Sequence, residues 1–381
     1  MFTRNEALVF AWLAPFALLA QNDAHSSVKV NFAADSPVAL VSADWGESRS
    51  SERGSAVVLN LNTALSLKNL SNRRIRAVTL LVQSQETTPG GRASVTKASL
   101  DIGPGDTFPL KVELRLLRPL QAGGPMVEMT LDGVLFDDLS FYGPNRLDSR
   151  RVMLAFEMEA RRDRQFFLSI LRTQGLDSLK RECLSSLARQ AETPRLDVQL
   201  ARGGRSTTIA ADRELQFAFL RFPDSPVEPV AGMAHVAGGE ARLPRLEVQN
   251  RSQRPVRYME VGWLLKDSQG REFLAGSVPA KTPLSPGQKT EILQQNGLRF
   301  SEGGGMPVAI ESMTGFVSQV EFADGSVWIP RRSSLSDPRL QRALAPSAEE
   351  QRLTNIYRKK GLGALVEELK RLENQASDSL R

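Results

Sequence analysis

The pattern Asn-x-Ser-x-Arg-x-apolar-Arg occurs twice in this chain, beginning at Asn69 and at Asn250, 181 residues apart. Four more segments recur in the same order. Ile102-Gly103-Pro104-Gly105 matches Leu284-Ser285-Pro286-Gly287 at a spacing of 182, and Asp35-Ser36-Pro37-Val38 matches Asp224-Ser225-Pro226-Val227 at 189. The segments beginning at Phe136 and Phe322, and at Ile170 and Ile356, are each 186 apart. Ordered matches with so little drift imply a duplicated unit, roughly residues 27–190 and 191–381, and a chain of 381 residues is long enough for two domains.

Within each unit the first part reads as strands. Ala77 to Val82 and Met259 to Leu265 are short apolar runs bounded by polar turns. Pro-Gly at 104–105 and 286–287 marks turns whose second residue needs positive φ, and alternation resumes from Phe108 to Leu114. Asp324-Gly325 between Val320-Glu321-Phe322 and Val327-Trp328-Ile329 is a hairpin signal. Short strands without intervening helical patterns favour an antiparallel sandwich over a parallel α/β sheet.

The Asn-x-Ser-x-Arg segment, the apolar strand after it and the Pro-Gly turn before the next strand resemble the immunoglobulin-like or fibronectin type III-like sandwich modules of exported bacterial proteins. The resemblance covers about two thirds of each unit and implies a fold, not an activity. Helical tails follow. Leu176, Leu179, Cys183 and Leu187 form one helical stripe, and Leu362, Leu365, Leu369 and Leu372 form another, with Gly175 and Gly361 interrupting each tail. The expected fold class is mainly β with α: two tandem antiparallel Ig-like β-sandwiches at 27–145 and 191–335, each followed by a helical hairpin tail at 146–190 and 336–381. Each tail packs on its own sandwich or between the units; the pattern leaves both arrangements open.

The N-terminus reads as an address. Arg4 precedes a 13-residue apolar run from Leu8 to Ala20, then polar residues, the shape of a secretory signal peptide over 1–20. The run is short for a membrane span and contains Pro15. The expected location is therefore exported, periplasmic or extracellular, with no membrane span in the mature chain; an uncleaved N-terminal anchor is the alternative.

Two histidines and one cysteine provide no material for a zinc finger, an iron–sulfur cluster or a disulfide framework, and no metal or cofactor is expected. His25 and His235 are isolated. Cys183 lies in an apolar stripe opposite Leu369 of the second tail, which reads as a buried structural thiol. Asp137 and Asp138 are adjacent, so on a strand they point to opposite faces and suit a turn better than a catalytic pair. Asn69 and Asn250 read as turn residues in preference to glycan acceptors. Gly90-Gly91, Gly203-Gly204 and Gly303 to Gly305 lack a phosphate-loop ending.

Of the 49 basic residues 38 are arginine, and Arg146, Arg150, Arg151, Arg161, Arg162, Arg164 and Arg172 cluster where the first sandwich meets its tail. Such a cluster suits an anionic envelope polymer, phospholipid head groups or an acidic protein. Interleaved Glu157, Glu159 and Asp163 favour the plainer reading of a solvated helix face. Features of one unit only are the better functional candidates, namely this cluster and the loop from Gln121 to Pro125. If the protein is bivalent, the matched hairpin tips at Tyr142 and Trp328 become duplicate contact sites. The expectation is an exported, non-enzymatic binding or scaffolding protein of the envelope, partnered by an envelope protein or anionic polymer and not by nucleic acid. The alternatives are an envelope polysaccharide hydrolase with carboxylates between the units, and an N-terminally anchored sensor or complex subunit.

Overall fold

The computed structural model describes residues 28–85, 90–120, 126–192, 195–201, 212–294, 296–302 and 305–378. The leader, His25, the 121–125 loop, Gly203-Gly204 and Gly303-Gly304 lie outside them. The described chain is mainly β with four α-helices. It begins with β1 (Val28–Asn31), β2 (Val38–Asp44), β3 (Arg49–Arg53), β4 (Ala56–Asn69), β5 (Ile75–Gln83), β6 (Arg92–Lys97), β7 (Thr107–Pro119), β8 (Val127–Phe136) and β9 (Phe141–Tyr142), then α1 (Ser149–Thr173) and α2 (Leu176–Glu192). It continues with β10 (Arg195–Ala201), β11 (Arg213–Gln216), β12 (Ala218–Phe219), β13 (Val227–Ala237), β14 (Glu240–Asn250), β15 (Val256–Asp267), β16 (Glu272–Ala280), β17 (Lys289–Leu293), β18 (Gly297–Ser301), β19 (Ile310–Phe322) and β20 (Val327–Trp328). A 3-10 turn (Arg332–Ser336), α3 (Pro338–Ala343) and α4 (Ala348–Asp378) follow.

In the first β-rich half, β1, β8, β5 and β6 form one sheet in that order, with β9 beside β8; β4 pairs β2, β3 and β7 in a second sheet. The period-2 pattern sets the core. Val57, Leu59, Leu61, Leu65 and Leu67 of β4 point inward, with Phe108, Leu110 and Val112 of β7 opposite, and Leu65 pairs Leu110. Strand β5 is buried on both faces, which explains its continuous apolar run. Ile75, Val78, Leu80 and Val82 face the sandwich core, whereas Ala77 joins a separate cluster with α1.

The second half has its own core, centred on Val248, Met259, Trp263, Phe300 and Val320. Here the strands form one continuous sheet, because β10 is antiparallel to β18 and parallel to β16. Strands β1 and β12 also run parallel to β8 and β19, respectively, so among the described residues the pairing is antiparallel with three exceptions. By spanning the gap between two edges, β10 satisfies backbone groups of both.

The two Asn-x-Ser-x-Arg segments fold into the same clamp. Asn69 is fully buried; its Nδ2 donates to the carbonyls of Arg73 at 2.8 Å and Gly103 at 3.0 Å, and its Oδ1 accepts from Ser71 N at 2.9 Å and Oγ at 2.7 Å. Asn250 repeats this, with Nδ2 to Arg254 O at 2.8 Å and Leu284 O at 3.1 Å, and Oδ1 accepting from Ser252. The backbone completes the match, for Gly105 N donates to Asn69 O and Gly287 N to Asn250 O, both at 3.0 Å. Gly105 and Gly287 have φ of 78° and 74°, as the Pro-Gly turns require. The arginines then lie over Phe136 and Phe322, each 3.8 Å from the ring centroid, and pair with Asp138 and Asp324 in the turns after β8 and β19. Asp324 is held down to about 2, chiefly by the Ser326 N–H, then by the Ser326 hydroxyl and Arg254. Replacing Asn69 by Ala strands several buried carbonyls and is expected to cost about 2–3 kcal/mol in urea unfolding; a loss under roughly 0.5 kcal/mol, the level of an ordinary surface change, contradicts the clamp.

The helical parts pack on one another. Gly175 and Gly361 have φ of 83° and 85°, a conformation that breaks the helix at each without a Cβ penalty. Phe167 and Ile170 of α1, Leu179 and Cys183 of α2, and Leu353, Leu365, Leu369 and Leu372 of α4 form one cluster. The helical stripes at Leu179/Cys183 and Leu365/Leu369 thus face a common core. The N-terminal part of α1 lies elsewhere, where Met153, Leu154 and Ala155 pack against Ala77 and Leu135 of the first half and against Val327 and Ile329 beyond β19.

Candidate functional site

Helix α1 is therefore an inner layer: its apolar strip meets both β-rich halves, and its arginines flank that strip. This placement corrects the solvated-face reading for Arg151, Arg162 and Arg164, whereas Arg146, Arg150 and Arg172 are exposed. Arg161 Nε and Arg164 Nη2 donate to buried Glu157 at 2.9 and 2.8 Å, and Arg76 of β5 lies 4.0 Å from it. From there the charges alternate in a closed circuit. Arg164 reaches Glu349 at 3.9 Å; Arg352 binds Glu349 with two bonds of 2.8 and 2.9 Å and Glu368 at 2.7 Å. Arg371 joins Glu368 at 2.9 Å to Asp101 at 2.6 Å, and Asp101 returns to Arg76 at 2.9 Å. Arg371 and then Arg352 hold the Glu368 carboxyl down to about 2, against burial. Burial raises Asp101, but Arg371, Arg76 and Arg74 together outweigh it and leave its carboxyl below the ordinary range.

A second network starts from Arg162 and Asp163, between Arg161 and Arg164 in the sequence of α1. Arg162 binds Asp163 with two bonds of 2.9 and 3.0 Å and donates to Pro330 O at 3.1 Å, while Ser347 donates to Asp163 at 2.7 Å. Arg332 stands 3.8 Å over the Phe166 ring and within 3.1 Å of Glu182, and Arg189 binds Glu350 at 2.6 Å. Towards the second half, Arg151 lies 3.5 Å over the Tyr258 ring and 3.8 Å from Glu321, which also pairs with Arg257 at 2.5 Å. Arg172 pairs with Glu373. Of the expected binding residues, then, Arg151, Arg161 and Arg162 have their charge met inside the fold. Arg146 and Arg150 are exposed and have no carboxylate partner among the described residues; Arg150 lies against Gly325 of the β19–β20 turn.

Tyr142 and Trp328 do parallel work. Tyr142 donates its hydroxyl to Asp35 at 2.9 Å, and Trp328 donates Nε1 to Asp224 at 3.2 Å. Each aromatic pins its short hairpin strand to the Asp-Ser-Pro segment of its own half. Tyr142 and Arg146 also share a cleft of about 360 Å³ with Asn31, Thr130, Leu131 and Pro144. The matching place beside β12 and β19 is a cleft of about 270 Å³ that includes Leu220, Phe222 and Val317, whose arginines Arg221 and Arg251 both pair with Glu228.

Sequence reasoning missed Glu349, Glu350, Glu368, Asp101 and Arg352. One signal was available, since Asp163 and Glu349 are 186 residues apart, the spacing already found between the tails. Cys183 is buried, and burial pushes its thiol up to about 12 with Glu182 adding, so it is a poor nucleophile. His235 is exposed on β13. Among the described residues no group of three His, Cys, Asp or Glu side chains comes together to hold a metal ion, and no helix is long and apolar enough to cross a membrane.

Glu159 differs from its neighbours. It is half-buried on α1, and burial pushes its carboxyl up to about 7, with Arg162 opposing and Asp163 and Glu260 of β15 reinforcing. A carboxyl raised on folding contributes fully below its unfolded value near 4.5 and loses that contribution as pH rises through about 7. Wild type is expected to lose about 1–3 kcal/mol relative to Glu159→Gln between about pH 5 and about pH 8, the range allowing for its residual exposure. Parallel urea unfolding curves of the two proteins at those pH values, with no divergence, would falsify the assignment.

No family model and no curated protein matches the chain. Among solved structures it is similar to a red sea bream transglutaminase, at 9% identity over 77% of this chain and 31% of that one, with a TM-score of 0.14. It is also similar to a β-glucosidase from Kluyveromyces marxianus, at 10% identity over 69% of this chain and 45% of that one, again with a TM-score of 0.14. The chain spans less than half the length of either protein, and similarity at this level carries no argument about fold or activity.

Proposed function

We propose that the chain is a duplicated sandwich-plus-helix unit, two tandem Ig-like β-sandwiches with helical tails, acting as an exported, non-enzymatic binding or scaffolding protein of the cell envelope. One observation carries the non-enzymatic part of this reading. The buried carboxylates of the joint, Glu157, Asp163, Glu349, Glu350 and Glu321, each lie within ion-pair distance of at least one arginine, which suits holding layers together better than acid–base work. The repeated Asn clamp and the paired Tyr142–Asp35 and Trp328–Asp224 bonds support the duplication. Export rests on the sequence of residues 1–20.

A hydrolase is the second reading, and Glu159 favours it: a carboxyl held near neutrality beside a second carboxylate is the environment of a general acid. Incubation of the purified protein with glycan, peptide and ester libraries separates the two. Scaffolding predicts no turnover by wild type. Turnover that is lost in Glu159→Gln or Glu260→Gln overturns it.

A further inference from the structure

We infer that the Tyr142–Arg146 cleft is a binding site for an acidic sugar, a uronate unit of an anionic polysaccharide. The inference rests on the binding-protein reading and names its ligand class. The cleft is built rather than incidental. Asp132 of β8 is buried, and its carboxylate accepts from the backbone N–H of Arg146 at 2.8 Å and of Leu147 at 3.2 Å, while its carbonyl accepts from Asn145 N at 3.1 Å. Gly143 makes this approach possible, since a Cβ there would stand 2.5 Å from the Asp132 carbonyl oxygen. The backbone that carries Arg146 is thereby fixed, although the guanidinium makes no ion pair or hydrogen bond among the described residues.

The walls suit a sugar acid. A planar guanidinium matches a carboxylate in two-point geometry. Tyr142, its hydroxyl already committed to Asp35, contributes a ring, and with Leu131 and Pro144 it forms an apolar wall for the C–H face of a pyranose. Asn31 and Thr130, direct neighbours across the β1–β8 ladder, supply an amide and a hydroxyl for sugar hydroxyls. A volume of about 360 Å³ is at the lower end of small-ligand sites. The counterpart beside β12 gives an internal contrast: leucine and phenylalanine stand there, and Glu228 neutralises both arginines. Of the two clefts, the first is the one that presents a cation on a fixed backbone without an ion-pair partner among the described residues.

Isothermal titration calorimetry tests this with three probes: an oligogalacturonate, a neutral malto-oligosaccharide of equal length and a glycerol phosphate oligomer. The oligogalacturonate is expected to bind best. Arg146→Ala should weaken that binding by roughly tenfold to a hundredfold, the loss of one charge-assisted pair, and Tyr142→Leu by about tenfold. Lys359→Ala, which removes an exposed cation elsewhere, should leave it unchanged. Thermal melting checks that the variants stay folded; Arg146→Gln, which keeps a polar side chain, supplies a second test at that position. Equal binding of the neutral oligomer, tighter binding of the phosphate oligomer, or affinity unchanged in both Arg146 variants overturns the inference. Absence of binding in a protein without turnover overturns it and leaves the scaffolding reading standing; cleavage of the bound oligogalacturonate overturns that reading instead.

Discussion

Phe167→Ala is expected to destabilise the protein by about 3–5 kcal/mol, the range for a large buried aromatic truncated in a core that closes only partly. Phe167 is fully buried and meets Phe166 edge to face, with centroids 5.7 Å apart and planes at 74°. It also anchors the cluster shared by α1, α2 and both parts of α4. The loss should therefore reach beyond α1, and hydrogen exchange should quicken in α4 as well as in α2. The check is a lower urea midpoint at unchanged m-value. Faster exchange confined to α1 would contradict a common helical core.

A loss of similar size, about 3–5 kcal/mol, is expected for Glu157→Ala, because removing one partner from a buried ion pair leaves the other charge uncompensated. Three arginines face this carboxylate, and Arg76 is itself buried. Arg172→Ala is the contrast. Its pair with Glu373 is exposed on the arginine side, and exposed pairs contribute about 0–1 kcal/mol. Added salt should scarcely change the Glu157→Ala effect, since buried pairs are screened much less than surface ones. Urea unfolding of the two variants at low and high salt measures both expectations, and equal small losses would place Glu157 in solvent.

The clamp residues were legible because their chemistry is local. An Asn two residues before a Ser can close a turn on itself, so the motif alone announces Asn69 and Asn250. Gly175 and Gly361 were legible for the same reason, positive φ being a local demand. Cys183 and Leu369 could be placed in an apolar core from helical period alone, but period does not say that the two stripes meet each other. The arginines of α1 were misleading for a related cause. Alternating charges along a helix have the same pattern whether water or other charges cover them, and what meets Arg161 and Arg164 is Glu157 on their own helix, with the Asp137 carbonyl for Arg161 and Glu349 of α4 for Arg164. The joining role of β10 was hidden likewise, as pairing with both β16 and β18 is a property of the assembled sheet. The Tyr142–Arg146 cleft draws its two recognised residues from a short stretch of sequence, but Asn31 and Thr130 arrive through the parallel β1–β8 pairing.

Helix α1 and its charge circuits weld the two β-rich halves into one structure. Calorimetric unfolding tests it most directly, combined with the fluorescence of Trp45 in the first half and Trp263 in the second. One transition is expected, with calorimetric and van't Hoff enthalpies in agreement and both signals changing together. Two separate transitions, one for each half and unaffected by Glu157→Ala, would contradict it.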